Sequence, residues 1–198
     1  MKKIFKKNYV AVDIHGVLAD FEQRFVEKFG NRHREYYNFY DRYPKLKSEI
    51  DEFMASPWSY KDIYPIFGGI RLVNELRSKG LGIILLSSCP DFAQEITRNW
   101  LNDYLISYDQ VVFVPAEEKA TYISNFNMMA PVHQKIVALV DDCTNNFLFL
   151  PDGVVGITWE QPWNEGYFPR ARFNDDKFIV EAKTDTVSEW IPFWRMKK

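Results

Sequence analysis

Three apolar runs in this sequence stop on groups that bind cations or phosphate. Tyr9-Val10-Ala11-Val12 stops at Asp13, Gly82-Ile83-Ile84-Leu85-Leu86 stops at Ser87-Ser88, and Ile136-Val137-Ala138-Leu139-Val140 stops at Asp141-Asp142. A carboxylate that closes a buried strand is costly unless a cation or hydrogen-bond donors meet it. Carboxylates brought together repel unless a divalent cation sits between them, and one or two carboxylates plus a phosphate describe a magnesium site. Serine hydroxyls and a lysine at a helix start are phosphate partners, and Lys119 sits where a helix begins. Gly16 allows a sharp turn after Asp13 and a close backbone approach to whatever Asp13 touches. Each feature also has a plainer reading. Asp13 could cap a helix or pair with a lysine, the serines could be helix caps, and Asp141-Asp142 could be a solvated turn. Their shared position at strand ends favours chemistry over all three.

The elements that must position these groups alternate. After the first strand, Asp20 with Gln23 three residues on marks a helix start, Phe21, Phe25, Val26 and Phe29 recur at helical spacing, and Gly30 offers a stop. Residues 31–44 show no clear period, and Lys45 to Met54 reads as a second helix. Helices around Ile70–Gly80, from near Asp91 to Leu105, from Glu117–Lys119 to about Asn127, and a short one from Thr144 separate strands at Gly82–Ser88, Val111–Val114, Ile136–Asp142 and Val154–Trp159. Strands alternating with helices imply a parallel sheet with right-handed crossovers, and parallel strands put their carboxyl ends on one edge. Residues 20–64 exceed what a crossover needs. They read as a small helical cap inserted at the edge where Asp13 lies, with residues 1–19 and 65–198 forming an α/β core.

Composition narrows the function. The formal net charge of −2 argues against a broad grip on polymeric nucleic acid, though not against a small phosphate. The two cysteines, Cys89 and Cys143, are too few for a disulfide framework and fit a reducing cytoplasm. No apolar run approaches the ~20 residues of a spanning helix, and the basic start Met1–Lys7 is not followed by the clean apolar stretch of a leader. There is no Gly-x-x-x-x-Gly-Lys loop and no His-Asp dipeptide, which disfavours a P-loop kinase and an HD-type hydrolase.

Asp13-Ile14-His15-Gly16-Val17-Leu18-Ala19-Asp20-Phe21 resembles the first motif of the haloacid dehalogenase (HAD) superfamily, and within it the 5'(3')-deoxyribonucleotidase branch, which reads Asp-x-Asp-Gly-Val-Leu-Ala-Asp-Phe. His15 stands where that family has its second aspartate, the general acid/base. Ser88 resembles the hydroxyl of the second motif, with Ser87 the alternative register. Lys119 resembles the lysine of the third motif; Lys135 is its rival but directly precedes a strand. Asp141-Asp142 resembles the acidic pair of the fourth. Tyr64-Pro65-Ile66-Phe67-Gly68-Gly69 and Trp159-Glu160-Gln161-Pro162-Trp163-Asn164 resemble further stretches of the same branch.

The resemblance implies a Rossmann-like parallel sheet of strand order 5-4-1-2-3 with a helical cap, and a magnesium-dependent phosphomonoesterase. Its substrate would be a nucleoside monophosphate, a 5'(3')-deoxyribonucleotide. Asp13 would be the nucleophile. Lys119 and the metal would neutralise the transferring oxygens, and Ser87 or Ser88 would hold the phosphate. Asp13, the main-chain carbonyl of His15, and Asp141 or Asp142 would hold Mg2+. Histidine can do acid/base work, since its ordinary pKa lies near 6.5. Neighbouring carboxylates would favour its charged form and the metal would oppose it. Two alternatives stay open: an impaired relative that binds nucleotide or phosphate without turnover, and a phosphatase of a non-nucleotide phosphate. A thiolate-histidine zinc site joining His15 to a cysteine has no recognised spacing behind it. Phe39, Tyr40, Tyr43, Trp58 and Tyr60 crowd the cap segment, where they can make its core or stack on a base.

Overall fold

The computed structural model describes residues 7–167, 169–174 and 177–181, so nearly all of the basic start lies outside the described residues. The sheet is built around β1 (Tyr9–Val12), flanked by β2 (Gly82–Ser87) and β4 (Ile136–Asp141), with β3 (Gln110–Phe113) beyond β2 and β5 (Val155–Trp159) beyond β4. All five run parallel. The order is the one anticipated, read from the other edge, and the architecture is a Rossmann-like α/β fold. Two strands extend it. β6 (Arg170–Asn174) pairs parallel with β5, and β7 (Lys177–Glu181) pairs antiparallel with β6. The sequence reading stopped at Trp159 and did not foresee them.

The central strands are apolar on both faces because both faces are covered. Alternate side chains serve different cores. Val10, Val12, Ile83, Leu85, Ala138 and Val140 pack into the larger one with helix α4 (Phe67–Ser78) and helix α5 (Asp91–Asp103). Ala11, Ile84, Leu86 and Leu139 pack on the other face with Ile123 of helix α6 (Lys119–Met129). Val12 is in register with Leu85 and Val140, so the next residue on each strand reaches the same edge of the sheet.

Between β1 and α4 the chain makes α1 (Phe21–Phe29), α2 (Phe39–Arg42), α3 (Lys47–Met54) and a single 3-10 turn at Pro57–Tyr60. Asp20 caps α1 by accepting from the Gln23 amide at 2.9 Å, and Gly30 ends it at φ 87°. The segment 31–44, without period in the sequence, contains α2, whose start Asn38 caps with its side chain. The aromatics form a ring cluster. Phe25 stacks on Phe39 at 3.8 Å between centroids, and Phe21 packs on Phe53 and Tyr60 at 5.6 and 5.0 Å. Where this segment leaves and rejoins the sheet, the two chains bond to each other: Asp20 N–H to Tyr64 C=O at 2.8 Å, and Ile66 N–H to Leu18 C=O at 2.7 Å. The Trp100 indole of α5 adds a bond to the Ile63 carbonyl at 2.7 Å. Among the described residues no helix is long and apolar enough to cross a membrane.

Candidate active site

Asp13 follows β1 directly and its amide bonds to the Val140 carbonyl at 2.9 Å, which sets it beside the end of β4. Asp141 ends β4 and Asp142 follows. One oxygen from each of Asp13, Asp141 and Asp142 falls within 4.8 Å of the others, and all three residues are buried. Lys119, the first residue of α6, is 1% exposed and lies between two of them, with Nζ 2.9 Å from Asp13 Oδ1 and 2.8 Å from Asp141 Oδ2. Lys135 precedes β4 at the opposite edge, where its amide bonds to the Asn8 side chain and its carbonyl accepts from the Tyr9 amide.

Asp141 is saturated with donors. Its Oδ2 takes Lys119 and the Asn146 amide at 2.9 Å, and its Oδ1 takes the Cys143 amide at 2.9 Å. Asp13 and Asp142, by contrast, line a cavity of about 420 Å³. Asp13 Oδ1 is buried and no hydrogen bond reaches it, because the lysine contact is an ion pair without hydrogen-bond alignment. Gly16 has φ 95°, and a side chain there would collide with the Asp142 carboxylate. The glycine therefore lets that carboxylate close over the first loop. The Gly16 carbonyl accepts from Gln161 Nε2 at 2.9 Å. The Asp142 carbonyl accepts from Asn164 Nδ2 at 2.9 Å and from Trp163 Nε1 at 3.1 Å. The stretch after β5 thus ties both acidic loops in place.

Three carboxylates face one ammonium, and the charges show it. Burial pushes Asp13 up to about 7; Lys119 opposes this and Asp141 adds to it. Burial, then Asp141 and Asp13, push Asp142 well above the usual carboxylate range. Burial alone would lower Lys119, but Asp13 and Asp141 on its two sides hold it charged. The donor set is all oxygen and carries excess negative charge, so it fits a hard divalent cation. Among the described residues, neither cysteine nor the His15 ring joins this cluster. Burial also raises both Cys89 and Cys143, which disfavours free thiolates at either position.

His15 lines the same cavity. Its ring meets Phe21 and Tyr60 edge-on at 5.8 and 5.6 Å, and its Nδ1 lies 3.3 Å from Ser87 Oγ. Burial and then Lys119 push its pKa down to about 4. Burial and the Lys119 ammonium both favour the neutral imidazole. Ser87 is buried and Ser88 exposed, and both border the cavity. Sequence reasoning did not single out Tyr37, Glu22, Arg42 or Asn146. Tyr37 lines the cavity, bonds the Cys143 thiol and packs on Trp163. Phe39 and Tyr60 belong both to the ring cluster and to the cavity wall.

No protein-family model matches the chain. Over 90 residues it is 28% identical to a Bordetella parapertussis protein named "Putative 5'(3')-deoxyribonucleotidase", a match covering 40% of this chain and 48% of that one. The sequence match agrees with the motif reading. This chain is thus aligned with about half the length of the relative. Among solved structures it is similar to a HAD-superfamily hydrolase from Ehrlichia chaffeensis, with TM-score 0.40 and 14% identity over 76% of this chain and 86% of that one. It is also similar to a chain of the Pnkp1/Rnl/Hen1 RNA repair complex, with TM-score 0.45 and 16% identity over 76% of this chain and 42% of that one.

Proposed function

We propose that the chain is a magnesium-dependent phosphomonoesterase of the HAD type, acting on a nucleoside monophosphate such as a 5'(3')-deoxyribonucleotide. The observation that carries this reading is the buried Asp13–Asp141–Asp142 cluster counter-charged by Lys119 at the floor of one cavity. Asp13 and Asp142, with the main-chain carbonyl of residue 15, would hold the metal, since the Asp141 oxygens are already taken. The bound cation would neutralise charge on the phosphoryl oxygens.

The other roles belong to the chain's own residues. The Asp13 carboxylate attacks phosphorus, forming an acyl phosphate as the ester bond to the leaving oxygen breaks, and the leaving oxygen takes its proton from a water in the cavity. Lys119 opposes the rise that burial imposes on that carboxylate and so favours its ionised form. Ser87 or Ser88 donates to a phosphoryl oxygen, and neutral His15, oriented by Ser87, is the base for the water that splits the acyl phosphate. Residues 20–64 form the cap, and its rings supply the apolar wall against a base. In this reading the protein acts on a small phosphorylated substrate in the cytoplasm, without polymeric nucleic acid or a membrane as partner.

A second reading has its own observation. His15 stands where the resembled motif has its second aspartate and its ring is packed edge-on against Phe21 and Tyr60, so a binding protein without turnover fits the same cavity. A phosphate-release screen over nucleotides and sugar phosphates, with magnesium or with EDTA, separates the two. Magnesium-dependent turnover of a nucleoside monophosphate supports the first reading. Binding without turnover replaces it with the second, and turnover confined to sugar phosphates overturns the substrate assignment.

A further inference from the structure

We infer that Arg42 sets substrate specificity: its guanidinium takes a hydrogen-bond-accepting oxygen carried by the leaving group, away from the phosphate. The inference rests on the reading of the cavity as a substrate site. Arg42 is 3% exposed, which for a charged side chain requires full pairing. The pairing is incomplete. Nη1 gives bonds to both Glu22 oxygens, at 2.7 and 2.8 Å, and Nε bonds the Tyr36 carbonyl at 2.6 Å. Nη2 is buried and no hydrogen-bond partner meets it among the described residues. A guanidinium serving only a carboxylate presents two nitrogens to it. Here Glu22 engages one nitrogen and leaves the other free.

The surroundings suit a ligand. Arg42, Glu22, Phe39 and Trp163 all line the cavity that has Asp13 and Asp142 on its floor. The Phe39 and Trp163 rings lie 5.1 and 5.3 Å from the guanidinium carbon, fixing it and keeping bulk water off. Arg34 Nε also reaches Glu22, at 3.2 Å, so that carboxylate is shared between two guanidiniums. Such a donor accepts a neutral carbonyl or an anionic oxygen. A leaving group that offers only donors or carbon there leaves the Nη2 donor unsatisfied and is rejected.

The test is calorimetric binding to the full chain in an Asp13→Asn background, so that turnover does not intrude. Two ligand pairs are used. One is 2'-deoxyuridine 5'-monophosphate against its analogue lacking the 4-carbonyl; the other is thymidine 3',5'-bisphosphate against thymidine 5'-monophosphate. In one pair the member with the extra acceptor should bind at least tenfold more tightly, and the pair that shows it separates a carbonyl from an anion. Arg42→Lys keeps a cation for Glu22 but has no second terminal nitrogen, and should bring that ratio to within threefold of one. Where the lysine variant does not fold, the double change Glu22→Gln with Arg42→Gln carries the comparison. Ratios near one in both pairs, a ratio unchanged in the variant, or no binding of any of the four overturns the inference. Turnover by the natural chain with flat ratios removes this inference and keeps the phosphatase; a sensitive ratio without turnover does the reverse.

Discussion

Replacing Lys119 by methionine should destabilise the protein far more than an ordinary lysine change. Met is close in length and apolar, so packing around α6 is largely kept, while the ammonium that pairs with the cluster among the described residues is lost. Removing one partner of a buried ion pair costs about 3–5 kcal/mol, because a charge remains buried without compensation. For a chain of this size about 2–4 °C of melting temperature accompanies each kcal/mol, so the midpoint should fall by roughly 6–20 °C. The loss should depend on pH. Asp13 titrates near 7 in the fold against an ordinary value of 3.8, so the fold holds its proton more tightly than the unfolded chain does. Its contribution is full below 3.8 and is lost as the pH climbs through about 7. Lys119 is the charge that limits this rise, so without it the loss extends to higher pH. The variant's deficit should therefore be larger at pH 8 than at pH 5. Millimolar magnesium should recover part of it. Thermal unfolding by circular dichroism, at both pH values and with or without EDTA, measures all of this. A variant melting within 2 °C of the natural chain at pH 8 in EDTA would refute the counter-charge role.

Asp13→Asn should abolish phosphate release in a chain that still folds, because an amide cannot form an acyl phosphate; residual release above one per cent counts against the nucleophile assignment. His15→Asn should lower turnover by ~10²–10⁴-fold if the ring is the base for water. With Asp13 pushed up to about 7 and the His15 ring pushed down to about 4, the rate should fall as the pH drops through about 7, where the nucleophile takes its proton, and the ring should add its own loss only near pH 4. Equal rates in the natural chain and His15→Asn would remove the assignment. Asn146→Leu takes away a charge-assisted bond to Asp141 and should cost about 1.5–3 kcal/mol in urea unfolding; a change below 0.5 kcal/mol would show that Lys119 alone satisfies that oxygen.

The acidic centre was legible because it is made of strand ends. An apolar run that stops at a carboxylate declares both the strand and the group, and parallel pairing then forces Asp13 beside Asp141. Lys119 was legible as a helix start in the right interval. The charge state of His15 was not, since it depends on Phe21, Tyr60 and Lys119 closing around it, and their arrangement is tertiary. The Glu22–Arg42 pair was hidden for the same reason: its partners lie 20 residues apart across a segment without period. The strands β6 and β7 did leave a trace. Arg170-Ala171-Arg172-Phe173 alternates, and Asn174-Asp175-Asp176 before Phe178-Ile179-Val180 is turn chemistry between strand-forming runs. The charged residues in the first of these runs weakened the signal.

The paired stem at Leu18–Asp20 and Tyr64–Ile66 has a consequence for how such a chain can change over time. The segment between them begins and ends within hydrogen-bonding reach of itself, so the sheet experiences it as a closed loop whatever its contents. Because closure entropy grows only with the logarithm of loop length, residues can be added or removed between these two points at little cost to the sheet. The Trp100–Ile63 bond is the added restraint, tying the returning chain to α5. The acidic centre and the wall facing it can therefore be remodelled at different rates. One chemistry could be passed to many leaving groups by exchanging a single module at a stem that never has to move.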